Sequence, residues 1–185
     1  NAYIIDPGDS AETLETHILT NRLTPLCIFL THGHSDHWGA AWEISQAFSI
    51  PVFLSNKDLF LVRPGKQFIP ARNSELFHIP PTTTDTDTLP SFDFPIPIEV
   101  IPTPGHTPGS VTYIIGNAVF SGDTLFADGE IGEWRYRGGN REELFASLSL
   151  LIRLPHEHIL YPGHGESQIL EDCAKLLVTQ YTDLT

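Results

Sequence analysis

The stretch Thr31-His32-Gly33-His34-Ser35-Asp36-His37 constrains this chain more than any other. Between positions 32 and 37 it carries three imidazoles and a carboxylate, directly after the apolar run Leu26-Cys27-Ile28-Phe29-Leu30. An apolar run of strand length that ends in a burst of ligand-type side chains predicts a buried strand delivering a metal-binding loop to a sheet edge. One histidine in a polar loop would carry little weight, because surface turns often hold one. Three with an aspartate at this spacing are hard to read as turn residues alone.

The flanking sequence predicts the frame. Ala2–Ile5 reads as a short strand and Asp6-Pro7-Gly8-Asp9 as a turn. Ser10 is placed to cap a helix running to about Arg22, with Ala11, Leu14 and Ile18 on one face. Strand 26–30 follows Pro25. Strand, helix, strand at this length implies a right-handed βαβ unit, with the ligand loop at the carboxyl end of its second strand. A helical pattern from Trp38 to Phe48, a strand over 51–54 and a helical turn from Ser55 or Asn56 come next. Residues 63–97 hold seven prolines and a Thr/Asp run over 82–88. They predict irregular chain around short edge strands, serving equally as a binding loop or as variable decoration.

The second half repeats one design three times. The strand over 98–101 leads into Pro102-Thr103-Pro104-Gly105-His106-Thr107-Pro108-Gly109-Ser110. Strands 111–115 and 118–120, joined by the hairpin signal Gly116-Asn117, lead into Ser121-Gly122-Asp123-Thr124. The last strand, 159–161, leads into Pro162-Gly163-His164-Gly165-Glu166. Between them, Asn140-Arg141-Glu142-Glu143 predicts a capping box opening a helix through Leu154 that buries Leu144, Leu148 and Leu151. A final amphipathic helix carries Leu170, Ala174, Leu177 and Val178. Each single His or Asp after glycine is an ordinary turn residue. Four ligand-bearing strand ends in one α/β chain are a constellation.

Taken in this order, these four motifs resemble the metallo-β-lactamase-fold hydrolases, in particular the glyoxalase II-like (hydroxyacylglutathione hydrolase-like) branch in a short form. The resemblance runs from Ile5-Asp6-Pro7-Gly8 to the last helix. It implies a four-layer αββα sandwich as a single domain over 1–185, lacking the family's first strands in this chain. The chain contains no Met and opens on Asn1-Ala2-Tyr3-Ile4, as if in mid-sheet, so processing or upstream residues are expected and a leader is compatible. The resemblance further implies that His32, His34 and His106 hold one metal and Asp36, His37 and His164 a second. Asp123 bridges the two, and Asp6 holds the ligand loop from behind by hydrogen bonds. His17, His78, His156 and His158 lie outside the motifs and are expected to be surface or structural residues.

Imidazoles with a few carboxylates suit zinc first, with iron or manganese also compatible, for the two divalent ions that the resemblance implies. The expected reaction is hydrolysis of a small-molecule thioester by a metal-bridging hydroxide, since coordination lowers the pKa of water to about 7. Asp36 and Asp123 are the catalytic carboxylates, with Asp36 orienting the hydroxide. No Gly-x-Ser-x-Gly elbow supplies a serine nucleophile. A thiolate leaves without a strong general acid, its conjugate thiol having a pKa of about 8.5.

Two departures bear on the thiol. The few residues after His164 lead to the expectation that the helical C-terminal domain, with which glyoxalase II helps bind glutathione, is absent. The segment after Ile131-Gly132, basic at its first position in that branch, here reads Glu133-Trp134-Arg135-Tyr136-Arg137. Arg135 or Arg137 could restore the charge, with Trp134 or Tyr136 as an apolar wall. Read alone, it is an exposed basic-aromatic loop. Persulfide dioxygenases share the scaffold with one iron held by two His and one Asp, but read Pro-Ala-His where Pro162-Gly163-His164 stands here. A lactonase or a non-catalytic metal-binding module are the remaining alternatives. The metal-binding Cys of the common β-lactamase classes has no counterpart.

Composition narrows the partners. A net charge of −13 opposes binding to a phosphate backbone, which needs clustered Lys and Arg. No segment is long and apolar enough to span a membrane as a helix. Cys27 lies in the apolar strand and Cys173 in a helical pattern, so two buried thiols in a reducing, cytoplasmic compartment are expected.

Overall fold

The structure, a computed structural model, describes residues 1–62 and 95–181. Of the Pro-rich segment only 95–97 fall inside that range; the expectation for the rest lies outside the described residues. Two compact units divide the chain, Asn1–Thr83 and Thr84–Thr185.

The first unit is a parallel three-stranded sheet in the order β1 (Ala2–Ile5), β2 (Pro25–Phe29), β3 (Val52–Phe53). Helix α1 (Ala11–Thr20) connects β1 to β2; α2 (Ser35–Trp38) and α3 (Ala41–Phe48) connect β2 to β3. The expected βαβ unit is present. Its core joins Ile28, Leu30, Val52 and Leu54 to Trp38, Ala41 and Ile44. Ile28, Leu30, Ile44 and Leu54 are fully buried, each worth about 1.5–3 kcal/mol relative to an exposed side chain. Because all three strands are parallel, their carboxyl ends share one edge. Asp6 follows β1 there, the histidine loop follows β2, and β3 leads into a 3-10 turn (Asn56–Asp58) and α4 (Leu59–Val62).

Two local expectations fail for stated reasons. Ser10 does not cap α1 with its side chain; it sits at φ 60, and its carbonyl instead receives the Thr13 and Leu14 amides. The pattern from Trp38 to Phe48 is not one helix. The turn at Gly39-Ala40 splits it, with Ala40 N–H bonding to the Pro7 carbonyl at 2.9 Å, so Asp36 and His37 ride on a one-turn helix rather than in open loop.

The second unit is a five-stranded sheet in sequence order, β4 (Ile98–Pro102), β5 (Val111–Ile115), β6 (Ala118–Gly122), β7 (Ile159–Pro162) and β8 (Gln168–Ile169). Only the β6–β7 pair is parallel. β8 follows the strand expected to be last; two exposed residues leave no alternation to read. Helices α5 (Arg141–Leu151) and α6 (Leu170–Gln180) bury Leu144, Leu148, Leu151, Leu170, Cys173 and Leu177 with Val119 and Leu160 of the sheet. The register pairs Pro102 with Val111, Tyr113 with Phe120 and Gly122 with Pro162. The loops bearing His106, Asp123 and His164 therefore leave one edge of this sheet.

Candidate metal centre

In the first unit, Asp6 organises the histidine loop. Its Oδ1 accepts the Thr31 amide at 2.7 Å and its Oδ2 the Thr31 hydroxyl at 2.6 Å. The same Oδ2 stands 2.8 Å from His37 Nδ1. A carboxylate can only accept, so Nδ1 of His37 carries the proton and Nε2 keeps its lone pair. The Thr31 hydroxyl, spending its proton on Asp6, accepts from His32 Nδ1 at 3.1 Å, which leaves Nε2 as the lone-pair nitrogen of His32. These tautomers follow from the hydrogen-bond network. Asp6 also holds its backbone at φ 46, a cost that its three partners repay.

His32 Nε2 lies 3.1 Å from His34 Nδ1. Two nitrogens about 2.1 Å from a common ion stand roughly 3.0–3.7 Å apart as the bond angle opens from a right angle to about 120°. The pair is thus spaced as two ligands of one cation. Both His32 and His37 are almost wholly buried. Asp36 is placed differently: its side chain is 59% exposed, and its Oδ2 lies 3.8 Å from His37 Nε2. Asp6, His32 and His37 also cluster closely enough to suggest a metal trio. Both Asp6 oxygens already accept hydrogen bonds, so its chemistry is that of an anchor.

A residue outside the motif completes this clamp. Asp58, fully buried, accepts the Gly33 amide on Oδ2 at 2.9 Å, and the Gly33 carbonyl accepts Trp38 Nε1–H at 2.8 Å. Sequence reasoning missed Asp58. Its only signal is an acidic residue in a short helical turn after the third strand, which is common in any protein.

In the second unit, His106 Nδ1 donates to the Glu133 carbonyl at 2.8 Å, again leaving Nε2 with the lone pair. That Nε2 lies 3.6 Å from Asp123 Oδ2, and His164 Nε2 lies 3.7 Å from the same oxygen. One carboxylate oxygen facing two imidazole nitrogens at ligand–ligand spacing suits an oxygen shared by two cations, each also held by one histidine. Backbone contact fixes the arrangement. A Cβ on Gly132 would overlap the Asp123 carbonyl, and one on Gly105, at φ 134, would overlap the Leu144 backbone at the start of α5. Asn140 accepts the Glu143 amide at 3.2 Å, but its own amide goes to the Gly105 carbonyl at 2.8 Å. Half of the expected capping box is replaced by a tie between α5 and the His106 turn.

The segment after Gly132 is half-buried at Glu133 and Trp134 and exposed from Arg135 to Arg137. The Arg135 guanidinium pairs with Glu133 at 3.1 Å and lies 5.0 Å from the Trp134 ring centre. Tyr136 is 61% exposed. Thus Glu133 serves the site through its carbonyl while its carboxylate holds the neighbouring arginine.

Burial pushes the Cys27 thiol up to about 12 and the Cys173 thiol up to about 11, the latter mainly by burial with smaller effects from neighbouring acids. Both cysteines are free and buried, away from any ligand role.

Residues 1–164 match the family model of the metallo-β-lactamase superfamily. The chain belongs to the metallo-β-lactamase superfamily. This metallo-β-lactamase-superfamily chain is 37% identical over 179 residues to the Bacillus subtilis protein named Probable metallo-hydrolase YqgX, covering 91% of this chain and 82% of that one. It is 36% identical over 163 residues to a hydroxyacylglutathione hydrolase of Nitrosomonas eutropha, covering 88% of this chain and 56% of the relative. It thus spans little more than half the length of that enzyme. Among solved structures, TTHA1623 in a di-iron-bound form superposes with a TM-score of 0.74 at 34% identity, covering 92% of this chain and 85% of that one. BLEG-1, a B3 metallo-β-lactamase, gives a TM-score of 0.71 at 36% identity, covering 92% and 83%. The expected fold class and glyoxalase II-like branch are borne out, and the chain is a hydrolase of this superfamily.

Proposed function

We propose that the chain is a binuclear metallohydrolase acting on a small-molecule thioester. The observation that carries this reading is the Asp123 Oδ2 atom, 3.6 and 3.7 Å from the lone-pair side of one imidazole and from the Nε2 of a second. In this reading His32, His34 and His106 would hold one divalent ion and Asp36, His37 and His164 the other, with the Asp123 carboxylate available to both. Zinc is the first candidate; the di-iron form of TTHA1623 supports iron as well. When bound, such ions supply Lewis acidity toward a carbonyl and acidify water to near neutral pH.

The protein's own groups do the rest. Asp6 and the Glu133 carbonyl hold the imidazoles of His37 and His106 by their Nδ1 protons, so Nε2 faces the reaction. Asp36, the exposed carboxylate beside His37, has the reach to accept a proton from an attacking water and orient it. The leaving thiolate needs no proton donor. The name of the Nitrosomonas relative supports an acylglutathione as one substrate to try. The Trp134–Arg137 segment is the proposed contact for the thiol portion, with Arg135, which pairs with Glu133, or Arg137 supplying the charge.

A thioester panel that includes S-lactoylglutathione tests the reading. Hydrolysis of at least one thioester, abolished by a chelator and restored by zinc, iron or manganese, is expected. Turnover of none with any of these metals would contradict it. A β-lactam amide is the second reading, favoured by the likeness to BLEG-1; a chromogenic cephalosporin in the same panel separates the two.

A further inference from the structure

Asp58 is a fully buried carboxylate that the histidine motif does not contain. It reaches that motif across 25 positions, accepting the Gly33 amide at 2.9 Å. The approach is close enough that a Cβ on Gly33 would stand 3.0 Å from the Asp58 Cβ. On the other side, the Gly33 carbonyl accepts the Trp38 indole N–H at 2.8 Å. The amide belongs to the peptide joining His32 to Gly33, and the carbonyl to the peptide joining Gly33 to His34. Both peptides between the two imidazoles are therefore fixed from outside the loop. Their ring nitrogens stand 3.1 Å apart, at ligand spacing.

The two carboxylates that grip the loop do different work. Asp6 bonds Thr31 and His37; Asp58 bonds Gly33, between His32 and His34. We infer that Asp58 is a positioning residue for the His32–His34 pair, and so for one of the two metals and not the other. The inference rests on the metal reading above but not on the substrate. A carboxylate accepts an amide proton more strongly than a neutral group does, which suits a peptide that must stay put between two ligands. Partners of this kind typically contribute 10–100-fold to metal affinity.

Stepwise zinc binding to metal-free protein, measured against a chromophoric chelator, tests this without any substrate. Asp58→Ala is expected to weaken one of two binding steps about 10–100-fold and leave the other within about twofold. Asp58→Asn, which can still accept the Gly33 amide, is expected to recover most of the loss. A purely structural role would not be site-selective, so the decisive comparison is made in two backgrounds. On His37→Ala, Asp58→Ala should cost its full factor; on His34→Ala it should add almost nothing. Equal losses in the two backgrounds, or wild-type affinity at both steps, would overturn the inference. If Asp58→Ala does not fold without metal, Asp58→Ser withdraws the acceptor from the Gly33 amide and is read by the same comparison. A wild-type protein binding no zinc would sink the metal reading and this inference together. Two normal steps with an indifferent Asp58→Ala would sink this inference alone.

Discussion

At the scale of single residues, much of this candidate metal site is hydrogen bonding behind the histidines. Asp6 is one carboxylate with three partners: the Thr31 amide, the Thr31 hydroxyl and His37 Nδ1. Asp6→Asn would keep one acceptor and turn an amide N–H toward groups that are themselves donors. The expected result is a fall in zinc affinity of about 10–100-fold, read by chelator competition, with the His37 step weakened. The family resemblance suggested Asp6 behind the loop; read alone, its Asp-Pro-Gly turn fits a plain turn aspartate equally well. Asp58 stayed invisible for a physical reason: its role depends on the packing of a 3-10 turn against Gly33, which no local pattern encodes. Asp36 shows the opposite case. Its motif position was plain, but its exposure, which fits it to meet water, came only with the structure.

At the scale of elements, the recurring device is a strand whose carboxyl end turns on glycine into a candidate ligand. It was legible because apolar strand runs, Pro-Gly or Ser-Gly turns and a single His or Asp recur in the same order. Interruptions inside a periodic pattern were not legible. The break between α2 and α3 is set by the Ala40 amide reaching the Pro7 carbonyl, and the start of α5 by the Asn140 amide reaching the Gly105 carbonyl. Both are contacts between remote segments, and both serve ligand-bearing turns. Gly132 belongs to this scale, since a Cβ there would overlap the Asp123 carbonyl. Gly132→Ala should displace the Asp123 turn, lower stability by about 1–3 kcal/mol and weaken metal binding. Thermal unfolding of metal-free and metal-loaded protein reads both effects. Unchanged melting temperatures in both states would show that the turn relaxes freely.

At the scale of the molecule, composition speaks to classes of partner and not to the substrate. A net charge of −13 argues against a polyanion partner, while the proposed contact for a thiol portion rests on a few side chains, Trp134–Arg137. The buried thiols give a global pH signature. In the unfolded chain they ionise from about 8.5; folded, burial holds them up at about 12 and about 11. Between those limits the unfolded state binds fewer protons, so stability is full below the lower limit and falls as pH rises through the window. Denaturant unfolding between pH 8 and pH 10 should show a steeper fall for the parent than for Cys27→Ala; identical slopes would contradict it. The central claim is that one chain holds two metal ions through one shared carboxylate. Elemental analysis of the purified protein beside its Asp123→Ala variant tests it most directly. Two ions per chain are expected in the parent and a loss of both in the variant. One ion per chain in the parent, or two retained without Asp123, would contradict it.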